Sequence, residues 1–175
     1  MSETAEEYGP FPPSPEFSQQ AVGQKSLYEE ADADREAFWA KQARERLTWA
    51  KDFDEVLDWS EAPVAKWFVG GTTNLCHNAV DRHLATRASQ AALVAISTET
   101  DTERSYSFAE LHAEVQRMSA VLRSLGVKKG DRVLIYMPMI AEAAFAMLAC
   151  VRIGALHSVV FGGFASGSLA SRIAH

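Results

Sequence analysis

The sequence has little of several features that mark whole classes of protein. It contains only two cysteines, Cys76 and Cys150, with neither a CxxC pair nor an even-spaced set, so two reduced thiols are expected rather than a disulfide framework. Acidic residues outnumber basic ones by 23 to 17, which gives a net charge of -6. Because nucleic acids and anionic membrane surfaces both attract a basic face, neither is expected as a partner.

Long apolar runs and targeting signals are also missing. The first 24 residues are acidic and rich in proline, with no apolar h-region and no arginine, so they predict neither a secretory signal nor a mitochondrial presequence. No apolar run approaches the length that spans a bilayer. These absences predict a cytoplasmic protein in which residues 1–24 form a disordered tail.

The composition that remains, 47% hydrophobic and 23% charged, is typical of a globular domain. A helix capped by Asp32 or Asp34 is predicted first, followed by an irregular, aromatic-rich stretch over 48–76 and a short helix over 77–87. A tryptophan can bury roughly 150–250 Å² of surface. We therefore expect the stretch to be an arm that packs against a domain.

The second half alternates strands and helices. Ser107 and Glu110 predict a capping box that opens a helix over 108–125, and Gly126 is suited to end it. The predicted strands are 92–98, 103–107, 132–137 and 156–161, and further helices are predicted over 140–153 and from 166. This order indicates an α/β fold with a parallel, doubly wound sheet behind an N-terminal helical and irregular aromatic arm. Since no cap or strand follows the last helix, we expect the domain to be incomplete.

A glycine turn, Phe161-Gly162-Gly163, lies between a predicted strand and a predicted helix. Glycine lets a backbone approach a ligand closely, and free N–H groups at a helix start favour an anion. The spacing matches neither the P-loop nor the dinucleotide fingerprint, so a purely structural turn is an equal reading. An NAD-dependent oxidoreductase is disfavoured for the same reason.

Other polar residues have simpler explanations. His77 and Asp81 are four apart and can share a helical face, but no third ligand has metal spacing, so a local hydrogen-bonded pair is expected. His157 lies in an apolar strand and is predicted to be a satisfied core histidine. Lys128 and Lys129 are predicted to form a solvated turn. The residues alone predict no catalytic site.

Three long stretches resemble one branch of the adenylate-forming enzymes, the acetyl-/propionyl-CoA synthetases. They are K-W-F-V-G-G-T-T-N-L-C-H-N-A-V-D-R-H-L (66–84), G-V-K-K-G-D-R-V-L-I-Y-M-P-M-I-A-E-A (126–143) and L-A-C-V-R-I-G-A-L-H-S-V-V-F-G-G-F-A-S (148–166). The wording N-L-C-H-N-A-V-D-R and G-G-F-A-S looks closer to propionate–CoA ligases than to acetate enzymes.

The resemblance implies a two-step reaction of a short-chain carboxylate with ATP, Mg²⁺ and coenzyme A (CoA). It implies an N-terminal segment over 25–87 and the beginning of an AMP-binding domain over 88–175. The family's F-G-G turn, which meets the CoA nucleotide, maps onto Phe161, Gly162 and Gly163. The family's other functional elements would follow His175, so we expect the isolated chain to be inactive. An acetate–CoA ligase and a non-catalytic module that binds CoA or a partner remain as alternatives.

Overall fold

The computed structural model describes residues 12–163 and 165–174. The helices are α1 (Pro15–Gln20), α2 (Lys25–Ala33), α3 (Arg35–Arg46), α4 (Leu75–Ala79), α5 (Leu84–Arg87), α6 (Phe108–Ser124), α7 (Ala141–Ile153) and α8 (Ser166–Ala174), with a 3-10 turn at Asp81–His83. The strands are β1 (Glu55–Asp58), β2 (Lys66–Val69), β3 (Ala91–Ser97), β4 (Thr102–Ser107), β5 (Arg132–Met137) and β6 (Leu156–Phe161).

The N-terminal region is more helical than predicted. Residues 1–11 lie outside the described residues, but helix α1 falls within the expected disordered tail, because Ser14 caps it through the Phe17 N–H and Pro15 suits its first turn. Helix α2 was not predicted. The cap predicted at Asp34 is confirmed, since its carboxylate accepts the Ala37 N–H at 2.9 Å and opens α3.

The aromatic arm contains regular structure of its own. Strands β1 and β2 pair as an antiparallel hairpin, and Trp49, Phe53 and Phe68 pack with two alanines of α3 into a small hydrophobic cluster. The expectation that the arm's tryptophans are buried is only partly met, because Trp59 and Trp67 remain 54% and 41% exposed.

The strands form three separate two-stranded sheets within the described residues. Strands β5 and β6 pair in parallel with α7 as the crossover, as predicted, and Met137 lies opposite Phe161 at their carboxyl ends. Strands β3 and β4 form an antiparallel hairpin of their own and do not join the parallel pair. Residues 98–101 alone connect these two strands, and a parallel connection needs a crossover of a dozen or more residues.

Helices α6 and α7 form the centre of the molecule. The capping box at α6 is confirmed, because Ser107 and Glu110 bond each other's backbone N–H groups. At its other end the Gly126 N–H donates to Arg123 and the Val127 N–H donates to Leu122, which is a Schellman motif. Val115 of α6 and Phe145 of α7 lie in one buried cluster with Cys76 and Val80 of the N-terminal region. The core therefore joins both halves of the chain.

Candidate functional site

The predicted glycine turn lies at the carboxyl edge of the parallel pair. Strand β6 ends at Phe161, strand β5 ends beside it at Met137, and helix α8 begins at Ser166. Ligands of open parallel sheets bind at the carboxyl ends of strands, and the first N–H groups of a helix have no intrahelical acceptor. The turn is therefore placed where a ligand is expected.

Close packing explains both glycines. A Cβ atom at Gly162 would lie 3.3 Å from the Pro138 nitrogen and 3.4 Å from the Met137 carbonyl oxygen. A Cβ atom at Gly163 would lie 3.1 Å from Cε1 of Phe161. The separations of 3.3 and 3.1 Å are shorter than ordinary van der Waals contact, so a side chain at either position would displace the turn from the strand end or from the Phe161 ring.

A tyrosine fixes the turn from the neighbouring strand. The Tyr136 hydroxyl donates a hydrogen bond of 2.9 Å to the Gly162 carbonyl oxygen. Two apolar residues of the segments that meet here are exposed, Phe161 by 64% and Met139 by 88%. Residues 136–140 and 161–163 contain no acid and no base other than this tyrosine. The edge can offer backbone groups and apolar surface to a ligand, which suits binding rather than proton transfer.

One cluster of interacting ionisable groups lies elsewhere, and we call it the Asp81 joint. It consists of Cys76, His77, Asp81, His112 and Arg152. The Arg152 guanidinium donates to both Asp81 oxygens at 2.8 and 2.9 Å, and His112 Nε2 lies 3.1 Å from the same carboxylate. His77 Nδ1 is farther away, at 3.9 Å. The joint connects the N-terminal region to α6 and α7.

The electrostatics of the joint are those of a satisfied structural pair. Burial lowers the pKa of Arg152, but hydrogen bonds to Asp81 and Cys76 outweigh it and raise the pKa overall. Burial raises the pKa of the Cys76 thiol, and Arg152 only partly opposes this. A thiol kept neutral is a poor nucleophile, and a guanidinium kept charged serves as a fixed partner for the Asp81 carboxylate.

In the described part of the chain, neither a metal site nor a broad basic groove coincides with the glycine turn. Over residues 12–163 and 165–174, no group of three or more His, Cys, Asp or Glu residues could hold a metal ion. A groove of about 910 Å³ is lined by Arg123, Lys128, Lys129 and Arg152. These basic residues precede β5 or end α7, so the groove lies at the amino ends of the parallel strands, opposite the turn.

The structure brings together only some of the residues singled out in the sequence. Phe161, Gly162 and Gly163 form one turn, as expected. His77 and Asp81 are near each other, but Arg152 and His112 are the closer partners of Asp81. The prediction of a core position for His157 is wrong, because β6 has only β5 as a neighbour in the described part of the chain and His157 is exposed.

Sequence reasoning missed Tyr136 as a polar partner of the turn, and it missed His112 and Arg152 at the joint. Tyr136 lies within an apolar run, which predicts a buried strand and gives no sign of a polar contact for its hydroxyl. Arg152 lies 71 residues from Asp81 along the chain, so no local spacing connects them.

The described residues also include no helix with both the length and the apolar character needed to cross a bilayer.

Comparison with family models divides the chain into two matched parts. Residues 24–79 match the acetyl-coenzyme A synthetase N-terminus, and residues 80–175 match the AMP-binding enzyme family. Among solved structures, the acetoacetyl-CoA synthetase from Streptomyces lividans superposes with a TM-score of 0.78 at 30% identity. The match covers 88% of this chain and 24% of that one, which agrees with the mixed α/β architecture.

Curated relatives are similar over most of the chain. A propionate–CoA ligase of Salmonella typhimurium is 59% identical over 84% of the chain, and one of Escherichia coli is 56% identical over the same share. An acetyl-coenzyme A synthetase of Mycobacterium bovis is 50% identical over 99% of the chain. The chain spans 23% to 27% of the length of these relatives.

Proposed function

Because the chain belongs to the AMP-binding enzyme family, we propose that it forms the first part of a short-chain acyl-CoA synthetase whose substrate is propionate. The reaction converts propionate, ATP and CoA to propionyl-CoA, AMP and diphosphate. The support for propionate is the higher identity to the two propionate–CoA ligases, 59% and 56%, against 50% for the acetyl-coenzyme A synthetase. Acetate is the second candidate, since that relative matches 99% of the chain.

The part of this reaction that we assign to the described residues is contact with CoA, at Phe161, Gly162 and Gly163. The observation that supports the assignment is the place of this turn, at the carboxyl ends of the parallel strands β5 and β6 and directly before α8. Bound CoA would supply the thiol that accepts the acyl group. ATP and Mg²⁺ are proposed cofactors of the reaction, but none of the described residues is assigned to them.

We propose an N-terminal segment over 25–87 and an AMP-binding domain that starts at residue 88, in a cytoplasmic protein. We expect the 175-residue chain alone to release no diphosphate from ATP and Mg²⁺, with either propionate or acetate. Clear propionate-dependent release would contradict that expectation, and a preference for acetate would contradict the substrate.

Calorimetric titration of the chain with CoA tests the binding site. We expect Gly162→Ala to weaken CoA binding about tenfold, which corresponds to ~1.4 kcal/mol, because the new methyl group must push the turn away from Pro138. Gly23→Ala is the matched control, since nothing lies within 4 Å of its Cβ position. The melting temperature of both variants should stay near that of the parent chain.

The competing reading is a non-catalytic module that binds a protein partner instead. A chain that is folded but binds no CoA would overturn the proposed contact at the turn. Equal CoA affinity for the parent chain and Gly162→Ala would also overturn it, because binding would then occur elsewhere. Co-purification with a longer homologue, without CoA binding, would favour the partner-binding module.

A further inference from the structure

Tyr136 occupies a position on β5 that core packing does not explain. Its neighbours Ile135 and Met137 both contact the hydrophobic cluster beneath α7. Successive side chains of a strand point to opposite faces, so Tyr136 points to the other face, where it is 44% exposed. It belongs to none of the buried hydrophobic clusters of the described residues.

The tyrosine instead connects two segments that are distant in sequence. Its hydroxyl donates to the Gly162 carbonyl oxygen at 2.9 Å, across 26 residues of chain. The carbonyl of Gly162 and the N–H of Gly163 belong to one peptide unit, which is planar and, when trans, holds the two groups in opposite directions. A carbonyl held toward Tyr136 therefore directs the Gly163 N–H away from it.

This restraint matters because a Gly-Gly peptide is easily reoriented. Glycine populates both signs of φ with little penalty. An unrestrained 162–163 peptide could therefore rotate until its carbonyl points where its N–H had pointed. The N–H group attracts an anion, whereas the carbonyl oxygen repels one. The orientation of this peptide therefore affects how well the turn can accept a phosphate.

We propose that Tyr136 is a positioning residue that holds the Gly162–Gly163 peptide with its N–H directed at the phosphate groups of CoA. This inference rests on the proposed contact between CoA and the glycine turn. Tyr136 does not itself touch CoA in this role, and it acts only through the carbonyl of Gly162. The ligand class is the phosphorylated nucleotide part of CoA rather than its pantetheine arm.

The decisive variant is Tyr136→Phe, which removes one oxygen atom and keeps the ring. A net hydrogen bond contributes about 0.5–1.5 kcal/mol, so the dissociation constant for CoA should rise roughly twofold to twelvefold. Tyr28→Phe is the matched control, because Tyr28 is 68% exposed on α2. The dissociation constant of Tyr28→Phe for CoA should equal that of the parent chain.

A spectroscopic measurement separates positioning from a loss of fold. In ¹H–¹⁵N spectra of the parent chain, CoA should shift the Gly163 amide signal, whereas pantetheine, which lacks phosphate, should not. In Tyr136→Phe the remaining amide signals should be retained, while the CoA-induced shift at Gly163 becomes smaller or disappears.

Different failures have different meanings. If the folded parent chain does not bind CoA, the proposed contact fails and the role of Tyr136 fails with it. If the parent and Tyr136→Phe bind CoA equally and show the same Gly163 shift, the contact stands and the role of Tyr136 is overturned. A Tyr136→Phe chain that does not fold would assign the tyrosine to stability, and this too would overturn the inference.

Discussion

The glycine turn and the Asp81 joint differ in almost every physical property. The joint gathers charged and titratable groups, and its two central side chains are largely enclosed, with Asp81 20% and Arg152 24% exposed. The turn has no charged residue in 161–163, and Phe161 is 64% exposed beside it. Conspicuous chemistry in a sequence does not by itself identify a binding site. Here the ionic cluster connects parts of the fold, and the backbone turn without charged residues is where we propose that a ligand binds.

The largest expected effect separates stability from binding at the joint. Asp81→Asn leaves the Arg152 charge without its counterion, and we expect the free energy of unfolding to fall by about 2 kcal/mol. The expected loss of unfolding free energy is smaller than for a fully buried ion pair, because both side chains retain some exposure to water. Urea denaturation measures it, and calorimetry should show unchanged CoA affinity below the transition.

The matched control for this substitution is Asp54→Asn. Asp54 pairs with Lys51 at 2.7 Å, but the two side chains are 69% and 56% exposed, so its loss should hardly change the denaturation midpoint. Equal destabilisation by the two variants would refute the structural role of the joint. A large loss of CoA affinity in Asp81→Asn would contradict the separation of the two regions.

A smaller effect is expected at the uncharged edge of the joint. Asn74 donates to the Val151 carbonyl at 3.0 Å and caps α4 by accepting the His77 N–H at 3.1 Å. Asn74→Ala should lower the free energy of unfolding by about 1 kcal/mol, again without changing CoA affinity. Gln90→Ala, which removes only an exposed hydrogen bond with Arg87, is the control. The prediction fails if the two variants are equally stable.

The smallest effect is expected at Glu110, an exposed residue outside both the glycine turn and the Asp81 joint. Hydrogen bonds from the Ser107 backbone N–H and hydroxyl lower the pKa of Glu110 from its ordinary value of 4.5. The carboxylate form is thus favoured by folding, and its contribution is present above about pH 4.5 and is lost as the pH falls through the lowered pKa.

Comparison of Glu110→Gln with the parent chain tests this pH dependence. Their difference in unfolding free energy should be small at pH 7 and should shrink further as the solution is acidified. Glu99→Gln, in the turn between β3 and β4, is the control. A stability difference that grows toward low pH would contradict the assigned direction of the Glu110 shift.

Local signals explain why some elements were predicted correctly. Helix α6 is predicted by Ser107, Glu110 and Gly126, which act within one turn of its ends. The parallel pair β5–β6 follows from two apolar runs separated by a helix that Gly154 ends in the left-handed conformation. The position of Phe161, Gly162 and Gly163 at the carboxyl edge follows directly from that order.

Other features depend on contacts that are distant along the chain. The hairpin of β1 and β2 has no strong alternation, and the order of strands and helices does not show that β3 and β4 stay apart from the parallel pair. The joint depends on Arg152 and His112, which reach Asp81 only after α6 and α7 have packed. No periodicity along one segment could have predicted this meeting.

The sequence by itself determined the family, the caps of α3 and α6 and the glycine turn, because each depends on neighbouring residues or on long stretches of matching sequence. Only the tertiary structure decided which polar groups meet. It placed Arg152 against Asp81 and the Tyr136 hydroxyl against the Gly162 carbonyl. The reason is physical: hydrogen bonds and ion pairs act over a few ångströms in space, and packing alone determines which distant residues come that close.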